Sequence, residues 1–126
     1  MNKEYCVRGA FDLPEEFHGH PGGISRVVLG PDMYNEQRPG ALDSERLIIH
    51  TNEYAVGGDS GHAHAHQNQE QAFYILEGTM EATVGDKTYT AGPGDCVFLP
   101  RNVMHGHRNI GDVPLKFLFI STMLDV

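Results

Sequence analysis

The sequence predicts an all-β protein, a sandwich or barrel of many short strands, and three observations support this. Fifteen glycines and seven prolines among 126 residues supply frequent turns. Short runs rich in β-branched and aromatic residues recur between turn signals along most of the chain. Helical periodicity is weak throughout, and the best helical candidate, residues 35–45, is interrupted by Pro39 and Gly40. A chain of this length is expected to form one domain.

The elements follow one another from an irregular beginning. Residues 1–23 show no regular pattern and end in the turn-rich HGHPGG, so we expect an irregular N-terminal arm. Residues 24–126 are expected to form the β-barrel domain. The strand candidates in it are, in order, ISRVVL, RLIIHTNEY, HAHAH, QAFYILE, TMEATV, KTYTA, CVFLP, VMHGHRN and LKFLFIST.

The last of these runs, LKFLFIST, is apolar at nearly every position, which predicts a strand covered on both faces. Either a partner subunit or the N-terminal arm would supply the outer cover, and the sequence leaves both possibilities open.

Composition excludes several classes of partner. A formal charge of −8, with only nine lysines and arginines, argues against nucleic acid and against an anionic membrane surface. No apolar run is long enough for a transmembrane helix, and the N-terminus lacks the apolar core of a signal peptide. The two cysteines are interpreted as reduced thiols of a cytoplasmic protein, with Cys96 as a small buried hydrophobic residue.

The run HAHAH is the first candidate for chemistry. On a strand, side chains at alternate positions share a face, so His62, His64 and His66 are predicted to point the same way. Two neutral imidazoles on one face can chelate a divalent cation. In the next run, the same rule places Gln71 on one face and Glu70 on the other.

A second histidine pair follows in GDCVFLPRNVMHGHRN. Gly94 and Asp95 predict a turn, CVFL a buried strand, and Pro100 the exit into a short loop. His105 then enters the next strand, with His107 on its same face. A third imidazole from a neighbouring strand is what would complete a coordination shell inside a barrel.

These two segments resemble the paired motifs of the cupin superfamily, in its small single-domain form. The first motif, G-x5-H-x-H-x(3,4)-E-x6-G, is matched in spacing by Gly58, His64, His66, Gln71 and Gly78. The second, G-x5-P-x-G-x2-H-x3-N, is matched by Gly94, Pro100, Asn102, His105 and Asn109. The resemblance implies a double-stranded β-helix, or jelly-roll barrel, and a homodimer in which the arm pairs with the partner's sheet edge.

The resemblance also implies a metal site made by His64, His66, Gln71 and His105. Gln71 stands where the family often has glutamate, and Glu70 lies one position early. A one-residue shift in register turns a strand side chain to the opposite face, so Glu70 would reach the site only through a bulge. Gln71 is therefore the predicted fourth ligand. Asn102 replaces the glycine of the second motif, and asparagine also tolerates left-handed backbone geometry.

The implied function is a metal-dependent enzyme acting on a small organic molecule, sugar- or keto-acid-like. A three-histidine, one-glutamine shell leaves the charge of the ion (Mn, Fe, Ni, Zn or Co) uncompensated, which favours Lewis-acid isomerase or lyase chemistry over dioxygenase chemistry. His62 and His50 are candidate proton-transfer groups, although a solvent-facing loop position explains His62 equally well. His107 is interpreted as an ordinary strand histidine, with an orienting role as the alternative, and His18 and His20 as residues of a surface loop, with a loop folded over the barrel mouth as the alternative. The alternatives are a non-catalytic module that binds a metal or small ligand, and a storage or structural barrel.

Overall fold

The computed structural model describes residues 4–16, 20–31 and 40–124. Within them the chain forms nine strands in two sheets and one turn of 3-10 helix, Ala10–Asp12. The six-stranded sheet has the order β2-β1-β3-β9-β4-β7, and the three-stranded sheet the order β6-β5-β8. The strands are β1 (Gly23–Pro31), β2 (Leu42–Ser44), β3 (Leu47–Tyr54), β4 (Gln69–Glu77), β5 (Met80–Val84), β6 (Lys87–Ala91), β7 (Cys96–Leu99), β8 (His105–Asn109) and β9 (Leu115–Met123).

Strand alternation builds the core between the two sheets. In β4, for example, Gln71, Phe73 and Ile75 are buried, whereas Glu70 and Tyr74 are exposed. The core cluster of buried residues includes members of both sheets: Tyr54, Phe73, Ile75, Met80, Ala82, Ala91, Val97, Leu99, Leu115 and Phe117. The all-β jelly-roll architecture is therefore the one that the sequence predicts.

The strand predictions differ from the structure at two places. HAHAH, predicted as a strand, is wrong: residues 62–66 form an irregular segment with a single isolated bridge, His64 to His105. The three-residue β2, which pairs in parallel with the end of β1, was not predicted. A strand of three residues is too short to show a periodic pattern of apolar residues in the sequence.

The turn at Gly78 carries the chain from one sheet to the other. Gly78 has a φ of +86°, and a Cβ there would lie 2.9 Å from the Cα of Leu115 and from the carbonyl oxygen of Pro114. Only glycine combines that backbone angle with so close an approach. After this turn β5 pairs with β6 and β8, so Gln71 on β4 and His105 on β8 belong to different sheets.

The described part of the N-terminal arm packs against the six-stranded sheet. The Arg26 guanidinium donates to the Leu13 carbonyl at 3.0 Å and pairs with Glu15 at 3.0 Å. The Lys116 ammonium lies 5.4 Å from the centre of the Phe11 ring, on the outer side of β9. The arm thus supplies part of the cover that the apolar β9 run requires. The division of the chain at residue 23 stays a prediction.

One burial prediction fails on β7. CVFL is a strand, but its faces alternate: Val97 and Leu99 are buried, whereas Cys96 and Phe98 are exposed. The interpretation of Cys96 as a buried residue is therefore wrong, because the strand directs it outward. Both Cys6 and Cys96 are free, exposed thiols.

Within the described ranges, no helix is long and apolar enough to cross a membrane.

Candidate metal centre

A cavity of about 240 Å³ opens between the two sheets and contains the side chains of the predicted ligands. His64 and His66 reach it from the segment before β4, His105 from β8, and Gln71 from β4. The structure therefore brings all four predicted ligands to one place.

Three imidazoles converge at one end of the cavity. One nitrogen from each of His64, His66 and His105 lies within 4.8 Å of the other two. The ring centres of His64 and His105 are 4.6 Å apart, and those of His64 and His66 are 5.0 Å apart. Three nitrogens that share one first-row metal ion would each bind it at about 2.0–2.1 Å, so a small inward shift of the side chains would bring them to ligating distance.

Backbone hydrogen bonds hold this end of the cavity together. His64 and His105 exchange two of them, N to O, at 3.0 and 2.8 Å. The amide of Asn102 donates to the His66 carbonyl at 2.7 Å, and Asn102 has a φ of +65°. Asn102 thus adopts the left-handed backbone conformation expected at this motif position. In this conformation its amide reaches the carbonyl of His66.

The fourth predicted ligand faces the same cavity. Gln71 is 4% exposed, and its Oε1 is buried without a hydrogen-bond partner. Such an oxygen is costly to bury unless a cation or donor satisfies it. Glu70 is exposed on the outer face of β4, as the alternation predicts. An unpartnered acceptor in the cavity that the three imidazoles line fits a bound divalent cation.

The electrostatics of the site favour neutral, ligating imidazoles. Burial, reinforced by His64 and His66, lowers the pKa of His105 to about 4. Burial also lowers the pKa of His66, with His64 as the second cause. His64 Nδ1 lies 3.3 Å from the carbonyl oxygen of His62, and an N–H donated there would leave Nε2 with a lone pair available to a ligand.

The two candidate proton-transfer residues lie in different places. His50, on β3, is buried and lines the cavity with the imidazoles. His62 is exposed and lines a separate surface groove with Arg108 and Glu81. Residues 62–66 are not a regular strand, so alternation does not apply to them: backbone hydrogen bonds with His105 and Asn102 hold His64 and His66, and His62 lies outside that pairing. His18 lies outside the described residues.

Sequence reasoning missed a hydrogen-bonded group next to the ligands. The Tyr54 hydroxyl lies 2.5 Å from His20 Nδ1 and 2.9 Å from His107 Nε2. Burial, then the charge of Asp59, raises the pKa of Tyr54. Burial lowers the pKa of His107 to about 3, with His20 the next cause, so His107 is neutral. One feature of the sequence could have indicated that Tyr54 lies in the cavity. His50, Asn52 and Tyr54 occupy alternate positions on β3, and all three line the cavity.

The rest of the lining carries no formal charge. Among the described residues that line the cavity, there is no lysine, arginine, aspartate or glutamate. Phe73, Phe117 and Phe119 form an apolar wall, and Ser25 donates a buried hydrogen bond to Asn52. A bound cation would therefore be the dominant charge in the cavity.

Comparison with known proteins agrees with this architecture. The family model for the cupin domain matches residues 42–121. The uncharacterized protein MJ1618 of Methanocaldococcus jannaschii is 27% identical over 115 residues, which cover 91% of this chain and 85% of that protein.

Two solved structures illustrate the likeness in fold. The first, a predicted oxalate decarboxylase from Thermotoga maritima, has a TM-score of 0.74 at 22% identity, covering 95% of this chain and all (100%) of that one. The second, the polyketide cyclase RemF from Streptomyces resistomycificus, has a TM-score of 0.72 at 25% identity, covering 94% and 80%.

Proposed function

The chain belongs to the cupin domain family, and we propose that it is a metal-dependent enzyme acting on a small organic molecule. One observation carries the proposal: three imidazole nitrogens lie within 4.8 Å of one another, in a cavity that the unpartnered Gln71 side chain also lines. We assign one divalent ion (Mn, Fe, Ni, Zn or Co) to His64, His66, His105 and Gln71. The three imidazole donors suit these metals better than Ca²⁺ or Mg²⁺, which prefer shells made of oxygen ligands.

The neutral ligand set bears on the type of chemistry. An ion bound to three imidazoles and a carboxamide keeps its full double charge and supplies a strong Lewis acid. Four protein ligands leave one or two coordination positions of a five- or six-coordinate ion for substrate oxygens. We therefore propose redox-neutral isomerase or lyase chemistry, with dioxygenase chemistry as the second candidate.

The cavity restricts the substrate. A volume of about 240 Å³ admits a small molecule, and the uncharged lining offers no ion pair to a substrate anion. Substrate oxygens would thus be anchored at the ligand end, with the carbon skeleton against the phenylalanine wall. A sugar- or keto-acid-like molecule fits this arrangement. Of the two candidate bases, His50 is the one assigned to proton transfer, because it lines the cavity.

A non-catalytic binding module is the alternative function. The absence of a carboxylate among the described lining residues supports it, because Asp and Glu are frequent general acids and bases. A module of this kind would bind the metal and a small ligand without turnover.

Metal content tests the site before any substrate is known. Protein purified without an affinity tag and without a nickel column should contain about one divalent ion per chain, measured by elemental analysis. His105→Ala should lose the ion, since it removes a buried ligand. Glu70→Ala is the matched control and should keep it, because Glu70 is exposed on the far face of β4. Loss of the ion in Glu70→Ala but not in Gln71→Ala would refute the ligand assignment.

A substrate screen separates enzyme from module. Turnover that a chelator abolishes supports the enzyme, and oxygen consumption during turnover selects the dioxygenase. Binding of a small ligand with no chemical change across sugar and keto-acid panels would favour the module.

We also propose a homodimer located in the cytoplasm. Tyr74 and Phe98 are exposed apolar side chains on the outer face of the six-stranded sheet, with 41% and 54% exposure, and suit a partner surface. Two free, exposed thiols suit a reducing compartment. Light scattering of the purified protein should give the mass of two chains, and the mass of one chain would exclude the dimer.

A further inference from the structure

A carboxamide ligand has a problem that a carboxylate ligand does not have. Its two ends differ: the oxygen accepts and can bind a cation, whereas the NH₂ group donates and carries partial positive charge. If Gln71 rotated by half a turn about its last side-chain bond, it would present NH₂ to the metal position. A glutamine in this place therefore needs a neighbour that fixes which end faces the cavity.

Gln69 makes the contact that fixes it. Gln71 Nε2 donates to Gln69 Oε1 at 2.8 Å, and Gln71 Oε1 is left buried without a partner. Gln69 precedes Gln71 by two positions on β4, so the two side chains share the inward face, and both line the cavity. The amide end is held at Gln69, which leaves the oxygen end for the cation.

Gln69 is itself oriented by a second donor. Ser121 Oγ, on β9, donates to the same Gln69 Oε1 at 3.1 Å. Ser121 is 2% exposed and is the cross-strand partner of Gln71. If the Gln69 carboxamide alone turned over, its NH₂ group would face the NH₂ group of Gln71, so two donors would meet in a buried place. The orientation in which the Gln69 oxygen faces Ser121 and Gln71 is therefore favoured.

We propose that Gln69, held by Ser121, is a positioning residue that sets the Gln71 carboxamide with its oxygen toward the metal. This inference rests on the proposed metal site. It adds a hydrogen-bonding neighbour that orients the ligand, which a glutamate ligand would not need. A carboxylate has two equivalent oxygens, so its rotation changes nothing at the ion.

The test uses Co²⁺ alone as the probe, titrated into metal-free protein by calorimetry. Gln69→Met keeps the approximate shape of the side chain and removes the acceptor, and it should weaken Co²⁺ binding by about 10- to 100-fold. The same change is then made in Gln71→Glu protein. There Gln69→Met should alter the affinity by less than about threefold, because no amide end remains to be held.

The outcomes separate the two proposals. If wild-type protein binds no Co²⁺, or Gln71→Ala binds it as tightly as wild type, the metal site is wrong and the inference falls with it. A second case leaves the metal site standing: wild-type protein binds Co²⁺ and Gln71→Ala weakens that binding. If Gln69→Met then weakens binding equally in the glutamine and glutamate backgrounds, Gln69 acts through packing and the inference alone is overturned.

A further variant covers the possibility that the Gln71→Glu protein does not fold. Ser121→Ala leaves both glutamines in place and frees the Gln69 carboxamide to rotate. A loss of affinity of at least about threefold supports the inference, and wild-type affinity overturns it.

Discussion

Replacement of His107 by glutamine should remove part of the pH dependence of folding in the metal-free protein. His107 is 8% exposed, packed beside Phe73, Tyr54 and Phe117, and its Nδ1 is buried without a partner. Its pKa falls from 6.5 to about 3 because burial penalises the charged ring. The unfolded chain therefore takes up a proton near pH 6.5 that the folded chain does not bind until far lower pH.

The direction and size follow from this difference. A folded-state pKa below the unfolded value means that stability is full above pH 6.5 and declines as the pH falls toward 3. Protonation of one unfolded histidine between about pH 8 and pH 5 favours the unfolded chain by roughly 2 kcal/mol. His105, whose pKa is lowered to about 4, adds a similar amount, so the pair costs about 4 kcal/mol over that range.

The assay is urea unfolding, in the presence of a chelator, at several pH values. His107→Gln keeps a donor for the Tyr54 hydroxyl but does not titrate. Between about pH 8 and pH 5, His107→Gln should lose roughly 2 kcal/mol less free energy of unfolding than wild-type protein loses. His62→Gln is the control for the substitution itself: the His62 ring is exposed in the fold, so this change should leave the free energy of unfolding at about pH 8 close to that of wild type. Equal pH dependence in His107→Gln and wild type would refute a buried, neutral His107.

Three further predictions concern the scaffold. Gly78→Ala should cost at least about 2 kcal/mol of unfolding free energy in urea titration, because a Cβ there clashes with backbone at 2.9 Å and φ is +86°. Gly92→Ala is the control: its Cβ would meet nothing within 4 Å, so it should cost less than about 1 kcal/mol. Equal costs for the two variants would contradict the packing argument. Tyr54→Phe should destabilise the fold by about 1–3 kcal/mol, since it removes the hydroxyl that the buried His107 and the partly buried His20 contact, and an unchanged melting curve would contradict that. Cys6 and Cys96 should both react with a thiol reagent in the native protein, and a thiol that reacts only after unfolding would contradict its exposure.

The local parts of the site were accessible to sequence reasoning because strand alternation is a rigid rule. It separated Gln71 from Glu70 by one position and placed His105 and His107 on one inward face, and the structure agrees on both. The rule also exposes Cys96, whereas the apolar composition of CVFL favours burial on both faces. On an edge strand such as β7, alternation is the better guide.

The parts that sequence reasoning missed depend on contacts between distant segments. His20 and His107 meet the hydroxyl of Tyr54 from positions 34 and 53 residues away along the chain, and no local period encodes such a meeting. Similarly, the inward direction of His64 and His66 comes from pairing with His105 and Asn102, not from a strand of their own. The pairing of Gln69 with Gln71 is local, yet its meaning depends on Ser121 from β9.

The most direct test of the central claim is a crystal structure of Co²⁺-loaded protein with anomalous diffraction measured at the cobalt edge. The account predicts one strong anomalous peak per chain, about 2.0–2.2 Å from a nitrogen of each of His64, His66 and His105 and from Gln71 Oε1. A peak bound by Glu70, or no peak among the three imidazoles, would contradict it.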